Sequence, residues 1–104
     1  MNLNKLMKQA QKMQEQMAKT QAELEEKTVE VSTAGGKVTV VANGAGDVVS
    51  IKIAKEIVDP EDVEILEDLI LSGVQQAISQ GKELASGEMS KITGGLGLDG
   101  LGLG

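Results

Sequence analysis

Four lysines near the N-terminus carry the clearest chemical capability in this 104-residue chain. Lys5, Lys12 and Lys19 recur every seven residues, and Lys8 stands three residues from Lys5. On a helix this spacing gathers all four along one flank, with successive heptads about 10 Å apart. A row of ammonium groups suits the phosphates of a nucleic-acid backbone, and it also suits an ordinary solvated helix face. Acids form a second cluster. Glu61, Asp62, Glu64, Glu67 and Asp68 are dense enough to suggest a divalent cation, with Glu64, Glu67 and Asp68 at helical-neighbour spacing. Nothing elsewhere completes such a site, so a solvated, dipole-complementing helix start is the preferred reading. Gly35-Gly36-Lys37 and Gly44-Ala45-Gly46 match neither the phosphate-loop nor the dinucleotide fingerprint. Each falls between predicted strands, where a turn accounts for it.

Composition narrows the chemistry further. The chain has no Cys and no His, which removes thiolate nucleophiles, imidazole bases and nearly all transition-metal sites. An enzyme is therefore not expected, nor a cofactor, metal or small-molecule substrate. Phe, Tyr and Trp are absent too, so the core must be aliphatic and bases cannot be stacked as single-strand binders stack them. All ten basic residues are Lys, and without Arg the commonest bidentate guanine contact is missing. What remains is binding to the backbone of duplex DNA with little or modest sequence preference. A net charge of −6 argues against even that, but the charge is uneven. Residues 1–22 hold four Lys and one acid, a local +3, whereas residues 23–104 hold six Lys and fifteen acids, a local −9. No apolar run approaches the roughly 20 residues of a membrane span, and the polar opening does not read as a signal peptide. The expectation is a cytoplasmic protein without a membrane partner.

The elements that must position the lysines follow from periodicity. Leu3, Leu6, Ala10, Met13, Met17, Thr20 and Leu24 follow a 3-4 spacing, which predicts one helix over residues 3–27, about 37 Å long. Its apolar seam is narrow and needs a partner. The period then changes to two: Thr28–Ala34, Lys37–Asn43 and Asp47–Ile53 read as strands. Val38, Val40 and Ala42 share one face of the second, and Val49, Ile51 and Ile53 one face of the third. Short connections impose an antiparallel meander. Asp59-Pro60-Glu61-Asp62 predicts a helix start, with Asp59 as cap, and apolar recurrence from Val63 carries the helix to about residue 92. Gly73, Gly81 and Gly87 weaken that helix without ending it. Residues 1–93 thus form one domain, and residues 94–104 a mobile Gly/Leu-rich tail.

The layout is α-β-β-β-α, an α+β protomer with a three-stranded antiparallel sheet and two long projecting helices. A sheet this small leaves apolar seams exposed, and a homodimer is the simplest closure. The opening Leu6–Gln14 helix resembles the start of the YbaB/EbfC family of bacterial nucleoid-associated proteins. So do Gly35-Gly36-Lys37-Val38-Thr39-Val40, Asn43-Gly44, Asp59-Pro60-Glu61-Asp62, Leu66-Glu67-Asp68-Leu69-Ile70 and Met89–Leu98, in order along nearly the whole chain. The resemblance implies a tweezer-like homodimer, located at the cytoplasmic nucleoid, that binds double-stranded DNA and alters its conformation and gene expression without enzymatic activity. On this reading Lys5, Lys8, Lys12 and Lys19 contact phosphates, while Leu3, Leu6, Met13, Met17 and Leu24 pack the arm or dimer. The alternative is a protein-interaction adaptor whose arms grip a partner such as a DNA-repair protein, with Met7, Met13 and Met17 as its adaptable surface.

Overall fold

The computed structural model describes residues 2–95. Helix α1 spans Leu3–Glu26, a run of Gln, Lys, Glu, Ala, Leu and Met with no breaker. Asn2 caps it, its side-chain oxygen accepting from the Lys5 amide at 3.4 Å. Lys27 is extended (φ −86°, ψ 130°) and leads straight into β1, Thr28–Thr33. Strands β2 (Val38–Asn43) and β3 (Val48–Ile53) complete an antiparallel sheet in the order β1-β2-β3. Helix α2, Val63–Gly95, crosses one face of it. The α-β-β-β-α order is the one expected.

The core is small and aliphatic. Val31, Val38, Val40, Ala42 and Ala77 are buried, with Val29, Ile57, Leu69, Ile70 and Val74 packed around them. The period-two reading of β2 holds, since Val38, Val40 and Ala42 are all 0% exposed. Without aromatic volume the layers must approach closely, and glycines permit it. A Cβ on Gly73 would stand 2.9 Å from Val40 Cγ2, and one on Gly81 would overlap the Asn43 carbonyl oxygen. These two glycines, which weaken α2 in isolation, are where it seats on the sheet.

The β2–β3 turn is tied to the base of α1. Asn43 is buried, and its amide donates to the Glu25 carbonyl at 3.2 Å. Its side-chain oxygen accepts from the Ala45 and Asp47 amides, both at 3.0 Å. The Gly44 amide donates to the Leu24 carbonyl at 2.8 Å, and a Cβ there would lie 2.6 Å from Leu24 Cδ2. One asparagine and one glycine thus fix the angle at which the arm leaves the sheet.

Three details differ from the expectation. A bulge at Val41/Ala42 sets Val48 opposite Ala42 and Ser50 opposite Val41, so Val49 falls out of the ladder. Ile51 and Ile53 keep their places opposite Val40 and Val38. Asp59 does not cap α2. It closes a turn of its own, accepting from the Glu61 amide at 2.9 Å, and the helix begins at Val63. Finally, α2 runs to Gly95, past the expected end near residue 92 and across the 93/94 boundary. Residues 96–104 of the expected tail lie outside the described residues.

Candidate nucleic-acid interface

Helix α1 is an arm. The molecule measures 71 × 26 × 17 Å, far longer than its sheet, and the hydrogen bonds and ion pair that tie the arm to the sheet and α2 lie at its C-terminal end, at Leu24, Glu25 and Lys27. Leu24 is 3% exposed, Met13 and Thr20 are half-buried, and Met17 stands at 36%. Towards the tip the seam opens to water, with Leu6 at 48% and Leu3 at 69%. Within one chain, then, the five predicted packing residues close only at the base.

Lys5, Lys8, Lys12 and Lys19 are all exposed on the flank turned away from Leu24. Among the described residues, none makes an ion pair or hydrogen bond through its side chain. The ion pairs instead use Lys27, Lys37 and Lys91. Glu15 stands between Lys12 and Lys19 on the same flank, and Glu23 and Glu26 follow at the base. The flank is therefore cationic outward and acidic inward. This order opposes the helix dipole. The first turn of α1 holds no acid and its last turn no base. Each misplaced charge costs about 0.3–1 kcal/mol of helix stability. The same arrangement adds the positive dipole end and the unpaired first-turn amides to the lysines at the tip, where an anion would meet them.

A clasp holds the arm's base. Lys27 donates to Glu88 Oε1 at 3.2 Å, and Lys91 Nζ stands 3.7 Å from the same oxygen. The hydrogen bond and charge of Lys27, aided by the charge of Lys91, hold the Glu88 carboxyl below its ordinary range. A carboxyl depressed by folding adds stability above its unfolded pKa and loses it as pH falls through the folded value. The clasp should therefore slacken only in acid. In an NMR titration Glu88 is expected to protonate below an ordinary glutamate, and Lys27→Ala to move it back up. A Glu88 that titrates normally in the unmodified chain refutes the clasp.

Neither other candidate for chemistry gathers a site. Glu61, Asp62, Glu64, Glu67 and Asp68 are all exposed, and among the described residues no three acids converge to hold a cation. The crevice where Leu24, Gly44, Ala85 and Met89 meet contains one carboxylate, Glu25, and no base. A feature of β3 is not evident from residue types alone. Val48 (36%), Val49 (54%), Ile51 (43%) and Ile53 (37%) are exposed along a sheet edge that α2 barely reaches. The signal was present in the element count, because one helix covers about two strands.

The geometry is an arm with an unpaired cationic flank. The model of the YbaB/EbfC DNA-binding family matches residues 1–96. The chain belongs to the YbaB/EbfC family. A nucleoid-associated protein of Ruminiclostridium cellulolyticum is 58% identical over 96 residues, covering 92% of this chain and 84% of that one. Another, from Alkaliphilus metalliredigens, is 54% identical over 100 residues, covering 96% and 88%. The crystal structure of the uncharacterized protein HP0035 from Helicobacter pylori superposes with a TM-score of 0.63 at 19% identity, over 75% of this chain and 90% of that one. That likeness extends the YbaB/EbfC fold to a distant sequence. No helix among the described residues is long and apolar enough to cross a membrane.

Proposed function

We propose that this YbaB/EbfC protein binds duplex DNA as a homodimer, through Lys5, Lys8, Lys12 and Lys19 on two projecting arms. Binding alters DNA conformation, and so contributes to nucleoid organisation and to gene expression at the cytoplasmic nucleoid. The observation that carries the reading is the row of four exposed lysines with no carboxylate partner, on an arm whose charge order lowers its own stability. The apolar edge of β3 is the surface on which a second copy joins, continuing the sheet and doubling the lysine row. The DNA-binding unit runs from the N-terminus to the end of α2.

Salt tests this directly. Eight neutralised phosphates give a log K against log salt slope of about −7, and partial engagement gives about −3 to −5. The expected result of a gel-shift or anisotropy titration on a duplex is a slope within that range, with little change between unrelated sequences. A slope near zero, or the absence of any shift at low salt, overturns the proposal and favours a protein-gripping arm.

A further inference from the structure

Among the described residues Asn43 is the one buried polar side chain, and three elements meet on it. Its Nδ2 donates to the Glu25 carbonyl of α1 at 3.2 Å, and its Oδ1 accepts the Ala45 and Asp47 amides that close the β2–β3 turn. Its own carbonyl oxygen stands against Gly81 of α2. The next amide, that of Gly44, is shared between the Leu24 and Lys27 carbonyls at 2.8 and 3.0 Å. Helix α1 ends at Lys27 without a glycine cap, and the carbonyls of a last turn have no partner inside their own helix. Those of Leu24 and Glu25 are capped from the sheet.

We infer that Asn43 is a positioning residue for DNA: by capping α1 from the sheet it sets the tilt of the arm, and so where each lysine meets a duplex. The consequence for DNA rests on the proposed lysine contacts, whereas the capping does not. Leverage gives the effect its shape. Lys5 lies about 30 Å along the helix from Glu25, and Lys19 about 9 Å. A tilt of about 10° at the base carries Lys5 through about 5 Å, more than the roughly 3.4 Å rise between successive phosphates of one strand. The same tilt carries Lys19 through less than about 2 Å. A loosened cap therefore costs the contacts at the tip first. Asn43→Asp isolates the bond to the arm. Its carboxylate still accepts both turn amides, but it turns an oxygen in place of a donor toward the Glu25 carbonyl.

The chain has no Cys, so Asn4→Cys/Glu30→Cys takes one spin label at the arm tip and one on β1. Labelled chain is diluted in unlabelled chain, so that the distance read lies within one protomer. Asn43→Asp is expected to shift and broaden that distance without DNA, and to weaken duplex binding by about tenfold. In a double-mutant comparison the effect of Lys5→Ala should shrink by at least about threefold in the Asn43→Asp background, while that of Lys19→Ala is kept. Gly44→Ala presses a Cβ on Leu24 and should move the same distance from outside the Asn43 bonds, so it carries the test should the carboxylate unfold the chain. Val31→Ala lowers stability within the core and should leave the distance alone. An unchanged distance in both Asn43→Asp and Gly44→Ala, with helix content intact by circular dichroism, overturns the proposal. Equal shrinkage of the Lys5 and Lys19 effects also overturns it. A shifted distance in a chain that never binds DNA supports the capping and overturns the DNA reading instead.

Discussion

Lys5→Glu/Lys8→Glu/Lys12→Glu/Lys19→Glu is expected to weaken duplex DNA binding at least about a thousandfold near physiological salt, with the fold intact. The size follows from counterion release, since each lost phosphate contact removes about 0.9 from the salt slope, and a dimer loses up to eight. The fold survives because all four side chains are exposed and none is paired within the chain. Within α1 the dipole gain from Glu at positions 5 and 8 is offset by new repulsion of Glu at positions 12 and 19 with Glu15 and Glu23, so helix content should change little. The four reversals move each protomer from −6 to −14, so bulk repulsion must be separated from site loss. Lys55→Glu/Lys82→Glu moves it to −10 without touching the arm and should cost far less per reversal. Circular dichroism checks the helix and anisotropy reads the affinity. Equal loss per reversal in the two variants would mean that net charge, and not the arm, governs binding.

Much of this was legible in the sequence because it is local. The phases of Lys5, Lys8, Lys12 and Lys19 need only 3.6 residues per turn, and Val38, Val40 and Ala42 need only the alternation of a strand with one covered face. What was not legible depends on a partner across space or on a contest between close alternatives. Asp59 had the type and position of a helix cap, yet its side chain reaches its own second neighbour's amide first. Val49 looked like the start of the apolar face of β3. The tight loop anchored by Asn43 Oδ1 inserts a bulge, and Val48 takes that place opposite Ala42. Gly81 reads as a weak point in a helix until the Asn43 carbonyl is found against it. The lysine row could be placed in advance, but its freedom from carboxylates could not. That depends on side-chain geometry along the arm, where Glu15 and Glu23 share the flank and neither, among the described residues, closes an ion pair with a lysine.

The apolar edge of β3 leads to the second large effect. If two copies join at β3 as proposed, Ile51→Asp is expected to dissociate them, raising the dimer Kd by about a hundredfold or more while the protomer stays folded. Ile51 is 43% exposed within one chain, so a carboxylate there meets water in the monomer and costs little. In a two-fold interface the same substitution appears twice, and two unpaired carboxylates are desolvated against apolar neighbours, including Ile53 and the partner's β3. Ile65→Asp is the matched control. Ile65 is 57% exposed near the start of α2 and is not part of that edge, so the dimer should persist. Sedimentation gives the oligomeric state, and DNA titration on the same samples gives a coupled outcome. A released monomer presents four lysines in place of eight, so its salt slope should fall to at most about −3.5 in magnitude. If Ile51→Asp stays dimeric with the slope unchanged, the two copies join elsewhere. The open seam at Leu3 and Leu6 then becomes the surface to test, and the arms would meet each other with their lysine flanks still turned outward.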